Sequence, residues 1–220
     1  MTMSYNKFGV FDFDGTIVDT MPTYFSLSSE IMENEYGLPG EEFQTYSKHY
    51  TGMPMEELFT RFLKGHDKPT NKVKDNLQDF FDIVNARDFP LIEGAREAIE
   101  DVYRKGFKLF VSTGSETKKT KERLEKLNLL KYFSMVYGSS EIEKGPEHIE
   151  DFAKASQVSL EDFAKNSFML GDGPGDIKLA KTCKMKALGV AHTFSSDYLM
   201  QAGADRVFEK IREVENAELI

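Results

Sequence analysis

A chain of 220 residues can bury a full core, either as one domain or as a domain carrying a sizeable insertion. Its 40% hydrophobic and 30% charged residues are those of a soluble globular protein, and a net charge of -9 with a pI near 5.1 argues against a polyanion partner such as nucleic acid. The lone cysteine, Cys183, leaves no internal disulfide to form, and without a long apolar run for a signal peptide or a membrane helix the expected location is cytoplasmic, with no membrane partner.

The first element is the apolar run Phe8-Gly9-Val10-Phe11, which predicts a strand and closes in Asp12-Phe13-Asp14-Gly15-Thr16. Strand alternation places Asp12 and Asp14 on one side, roughly 6 to 7 Å apart, with Phe11 and Phe13 on the other. Two half-desolvated carboxylates at that spacing repel each other, and a compact hard cation such as Mg²⁺ would relieve them. Gly15 lets the chain turn sharply. The bland alternative is a strand ending in a polar turn, which uses the same residue types.

From 21 to 88 the apolar spacing is helical. Met55, Leu58, Phe59 and Phe62 follow i, i+3, i+4, i+7, as do Val73, Leu77, Phe80, Phe81 and Val84. Thr20 and Pro22 mark a helix start, while 37–40 and 64–69 are breaks rich in glycine and proline. Beyond residue 91 strands alternate with helices. Helices are expected at 94–105, 116–127, 146–155, 174–183, near Tyr198 and at the C-terminal end; strands at 107–112, 135–137, 167–170, 187–190 and 206–208. The expected fold is therefore α/β: a parallel-sheet core of residues 1–20 and 89–220, interrupted after its first strand by an all-helical domain of residues 21–88.

Ligands of such sheets bind at the carboxyl ends of the strands, and three more strand ends carry chemistry. The run ending Ser112-Thr113-Gly114 combines a hydroxyl, free backbone N–H and a helix start, which suits a phosphate, although Thr113 serves equally as a helix cap. Lys144 precedes a Gly145-Pro146 turn; an arbitrary lysine is a solvated surface group. The apolar run 168–170 enters Gly171-Asp172-Gly173-Pro174-Gly175-Asp176, where two aspartates with glycines giving close access suit a divalent metal.

The stretch from Asp12 to Thr20 resembles the first motif of the haloacid dehalogenase (HAD) superfamily, and the other three strand ends are similar, in order, to its remaining motifs. The layout resembles a Rossmannoid HAD core with a helical C1-type cap, of the phosphoglycolate phosphatase and β-phosphoglucomutase kind. That resemblance implies a Mg²⁺-dependent phosphatase acting on a small phosphorylated metabolite, as a monomer or homodimer. It makes Asp12 the nucleophile and Asp14 the acid/base. Thr113, with Ser112 as the alternative, becomes the phosphate-binding hydroxyl beside Gly114, and Lys144 the neutralising cation. Metal would be held by Asp12, the Asp14 backbone carbonyl and Asp172, with Asp176 ligating through water or supporting the others. In related enzymes the loop between the first two cap helices reaches over the active site, so Lys48, His49 and Gly52 in the polar segment 46–54 are candidate substrate contacts; a plain surface loop has the same composition. Asp14 argues against a dehalogenase or phosphonatase. The rival within the family is a β-phosphoglucomutase-like hexose-phosphate mutase; the rival outside it is a non-catalytic phospho-ligand binder.

Overall fold

The computed structural model describes residues 6–50, 53–140 and 142–220. The chain divides into two compact units, one comprising residues up to Asp19 together with Pro90–Ile220, the other Thr20–Phe89.

The first unit is built on a six-stranded, wholly parallel sheet of β1 (Phe8–Phe11), β2 (Lys108–Ser112), β3 (Phe133–Tyr137), β4 (Ser167–Gly171), β5 (Lys186–Val190) and β6 (Arg206–Phe208), in the order β3-β2-β1-β4-β5-β6. The chain winds outward from β1 on one side and then restarts at β4 on the other, so the carboxyl end of β1 lies at the switch point where such sheets open a crevice. Interior strands are buried on both faces, which is why they read as continuous apolar runs rather than alternating ones. Phe8, Val10, Phe110 and Met169 pack on one face against Ile149, Phe152, Phe163 and Ile177 from the helices α7 (Pro146–Ser156), α8 (Leu160–Lys165) and α9 (Pro174–Thr182). Phe11, on the opposite face, meets the rings of Phe133 and Phe168.

The expected strands all form, with ends shifted by up to two residues. Two differences concern helices. α8 has no counterpart in the expected elements, because six residues are too few for a helical period to show; Ser159 caps it by accepting from the Asp162 N–H. The last helical segment, Ile211–Asn216, is a 3₁₀ helix.

The second unit is all helical: α1 (Met21–Tyr36), α2 (Gly40–His49), α3 (Met55–Gly65) and α4 (Val73–Ala86). Pro22 sits in the first turn of α1, and Gly37 ends it in a left-handed conformation, φ 64°. α2 runs further than expected. Lys48 and His49 belong to its last turn rather than to a loop, where the Lys48 ammonium complements the carbonyl end of the helix while Glu41 and Glu42 complement its start. The loop in question therefore joins the second and third helices, and Gly52 lies outside the described residues. Lys48 places its ammonium 5.5 Å from the centre of the Phe25 ring. No helix among the described residues is long and apolar enough to cross a membrane.

Phe110 stacks on Phe152 at 4.6 Å and meets Phe163 edge-on at 5.7 Å. Replacing it with alanine in so dense a core is expected to cost about 3–5 kcal/mol of unfolding free energy, read from urea denaturation. A loss below about 1 kcal/mol would contradict this packing.

Candidate active site

β1 ends at Phe11, and the carboxylates after it do not stay side by side. Phe13 O accepts from the N–H groups of Ile17 and Val18 at 2.9 and 3.1 Å, closing a tight turn in which Gly15 takes φ 76°. Strand alternation thus stops before Asp14, and the two aspartates enter different networks. This corrects the picture of a repelling pair on one strand face.

Asp12, held at the strand end by its N–H bond to Leu170 O, enters a cluster with Asp172 and Asp176. One carboxylate oxygen from each lies within 4.8 Å of the others, and all three residues are buried. Lys144, from the loop between β3 and α7, donates to Asp12 Oδ1 at 2.8 Å and to Asp176 Oδ1 at 2.6 Å. The second Asp176 oxygen accepts from Gly173 N–H at 3.1 Å, which ties the first turn of α9 back on itself. The last residue of β4 must be Gly171 for this approach: a Cβ there would stand 2.2 Å from Asp176 Cγ. Thr16 donates to Asp172 Oδ1 at 3.0 Å.

Charge in this cluster is unbalanced, since one ammonium faces three carboxylates. Burial raises the Asp12 carboxyl well above the usual carboxylate range and Asp176 adds to it, outweighing Lys144. Burial and Asp176 likewise push Asp172 up to about 7, against the hydroxyls of Thr193 and Thr16. For Lys144 burial works downward, but Asp12 and Asp176 together overcome it and keep the ammonium protonated. Three ionised carboxylates with one ammonium lack two positive charges, the complement of a divalent cation, and every free donor is a hard oxygen. The residues therefore fit a magnesium-type ion.

Asp14 points elsewhere. Its Oδ2 accepts from Ser115 Oγ at 2.6 Å and Thr113 Oγ1 at 3.1 Å, and Thr113 Oγ1 in turn accepts from the Ser115 N–H. Asp14 Oδ1 is buried with no hydrogen-bond partner among the described residues. Gly114 is exposed, its carbonyl accepting from Ser139. Ser112 is buried and committed to His148, at 2.9 Å.

The structure thus brings Asp12, Lys144, Asp172 and Asp176 together, and Asp14 with Thr113. Lys48 and His49 belong to the helical unit. Sequence reasoning assigned no role to Ser115, Thr16, Thr193 or His148. Ser115 carried the only usable signal, a second hydroxyl two residues beyond Thr113 in the same strand-end loop. The others become visible only through contacts distant in sequence.

The chain is similar to known proteins along most of its length. A curated phosphorylated carbohydrates phosphatase from Thermotoga maritima is 26% identical over 204 residues, covering 89% of this chain and 90% of the relative. A phosphoglycolate phosphatase from Vibrio parahaemolyticus is 23% identical, covering 97% of this chain and 96% of its own length. Among solved structures, a haloacid dehalogenase-like family hydrolase from Streptococcus pneumoniae shares the fold with TM-score 0.76 at 19% identity, covering 95% of this chain and 97% of that one. The family model for haloacid dehalogenase-like hydrolases matches residues 10–190, so the chain belongs to that family.

Proposed function

We propose that the chain is a Mg²⁺-dependent phosphatase that hydrolyses a small phosphate monoester, of the phosphoglycolate or sugar-phosphate type, through an aspartyl-phosphate on Asp12. The observation that carries this reading is the separation of the two aspartates. Asp12 sits with Lys144, Asp172 and Asp176, while Asp14 is held apart by two hydroxyls. One carboxylate is thereby placed among charges that can hold a phosphoryl group, and the other is free to move a proton. The names of the relatives, a carbohydrate-phosphate and a phosphoglycolate phosphatase, support the substrate class.

In this mechanism an Asp12 oxygen attacks phosphorus in line as the ester P–O bond breaks, and Asp14 gives a proton to the departing alcohol. Asp14 then takes a proton from the water that attacks the aspartyl-phosphate, releasing inorganic phosphate and regenerating Asp12. Because Oδ2 is occupied by Thr113 and Ser115, Oδ1 is the Asp14 atom available for the proton. Lys144 offsets charge on the equatorial oxygens. Asp12, the Asp14 carbonyl and Asp172 would hold the cation, with Asp176 steadied by Lys144 and Gly173. When bound, that ion supplies electrostatic stabilisation of the phosphoryl group. We assign the helical unit the role of cap domain and of substrate selection.

Asp12→Asn is expected to lower phosphate release from a panel of phosphorylated metabolites by about 10³-fold or more with an unchanged circular dichroism spectrum; retained activity would refute the nucleophile. Scoring sugar-phosphate isomers in the same panel separates hydrolysis from a mutase, which would form isomers without phosphate release. Metal removal by chelation is expected to abolish turnover, and Mg²⁺ to restore it. The pH dependence has a definite sign. Asp172 is raised to about 7 in the metal-free fold, so its contribution to stability is present at low pH and lost as pH rises towards 7. Binding Mg²⁺ requires the ionised form, so the rise in melting temperature on adding Mg²⁺ should grow between pH 5 and 8. A Mg²⁺ increment that is flat over that interval would contradict the cluster.

A further inference from the structure

We propose that His148, outside the carboxylate cluster, is a positioning residue that locks the loop carrying Lys144 to the end of β2; this rests on the role given to Lys144 above. His148 stands in the first turn of α7 and is completely buried. Both ring nitrogens are used. Nε2 lies 3.0 Å from Ile142 O and Nδ1 lies 2.9 Å from Ser112 Oγ. A carbonyl can only accept, so Nε2 carries the proton, and the bare Nδ1 accepts from the Ser112 hydroxyl. Burial lowers the pKa of the ring, with Lys144 adding to that against the Ile142 carbonyl, so the neutral tautomer persists.

The backbone of the same residue completes the hold, since His148 N–H donates to Gly145 O at 3.2 Å. One residue therefore fastens the carbonyls of Ile142 and Gly145, and Lys144 lies between those two anchors. The ring cannot swing freely, being packed against Tyr137 at 5.2 Å and Phe152 at 6.4 Å. On the other side Ser112 precedes Thr113, which holds Asp14. His148 thus links the cation of one network to the strand end that supports the other. Its two ring nitrogens are committed to Ser112 and Ile142 rather than to the reacting carboxylates or the candidate metal ligands, so its effect passes through Lys144.

The two ring bonds can be separated by substitution. The amide of His148→Gln reaches the Nε2 position and can still donate to Ile142 O, whereas His148→Asn reaches only the Ser112 side. Lysine acetylation by an N-hydroxysuccinimide ester, read site by site by mass spectrometry, reports the hold on Lys144 without requiring activity. In H148N the labelling rate of Lys144 is expected to rise about tenfold and hydrolysis of p-nitrophenyl phosphate to fall by about the same factor, while H148Q stays within about threefold of the wild type in both. Unchanged labelling of the other lysines shows that the fold persists. Ser112→Ala removes the second anchor with a smaller lesion and is expected to raise Lys144 labelling about threefold, which keeps the test available if H148N does not fold. Equal effects of H148N and H148Q, or wild-type Lys144 labelling in either H148N or S112A, would overturn the proposal. A wild-type protein that hydrolyses no phosphate ester would refute the phosphatase reading instead, and the labelling pattern would still decide the role of His148.

Discussion

Three buried carboxylates compete for one ammonium at the carboxyl edge of this sheet, and most of the local architecture is arranged around that excess of negative charge. Lys144 binds two of them directly, Asp12 and Asp176. Even with it, burial and mutual repulsion keep Asp12 and Asp172 reluctant to ionise. Such a site is costly for stability and suited to a ligand that brings positive charge.

The fold supplies each part of this arrangement by a separate route. β1 and β4 are neighbours with Phe11 level with Leu170, so Asp12 emerges at the strand end from which β4 leads into Asp172. Gly171 opens the space into which the first turn of α9 carries Asp176. Lys144 comes from a loop on the far side of β2, and so needs an anchor of its own; the buried imidazole of His148 provides one. The tight turn after β1 then removes Asp14 from the cluster and delivers it to Thr113 and Ser115. Two carboxylates two residues apart thereby acquire different surroundings, which the proposed division into nucleophile and proton carrier requires.

Much of this was legible in the chain itself. Strands buried on both faces announce themselves as apolar runs, and acids, hydroxyls and glycines closing four of them stand out against that background. Other features were hidden because their cause lies elsewhere in the molecule. The point at which β1 stops depends on three-dimensional turn geometry, so strand alternation was carried past the last strand residue, Phe11, as far as Asp14. α2 extends through Lys48 and His49 because Glu41 and Glu42 at its start and Lys48 at its end favour helix, although the segment's polar residues and downstream Gly52-Met53-Pro54 look like a loop. The partners of Thr16 and His148 are set by packing across the sheet, and no local pattern encodes them. His148 carries no local signal that separates it from the other three histidines of the sequence; burial and two opposed hydrogen bonds distinguish it.

The central claim is covalent chemistry at Asp12. Rapid acid quench during turnover of a phosphate ester, followed by peptide mass spectrometry, tests it most directly, with Asp14→Asn used to slow breakdown of the intermediate. The expected result is a single hydroxylamine-labile phosphoryl group on the peptide containing Asp12. Sustained turnover with no phosphoryl group on that peptide, in wild type and in the Asp14→Asn protein alike, would contradict the account.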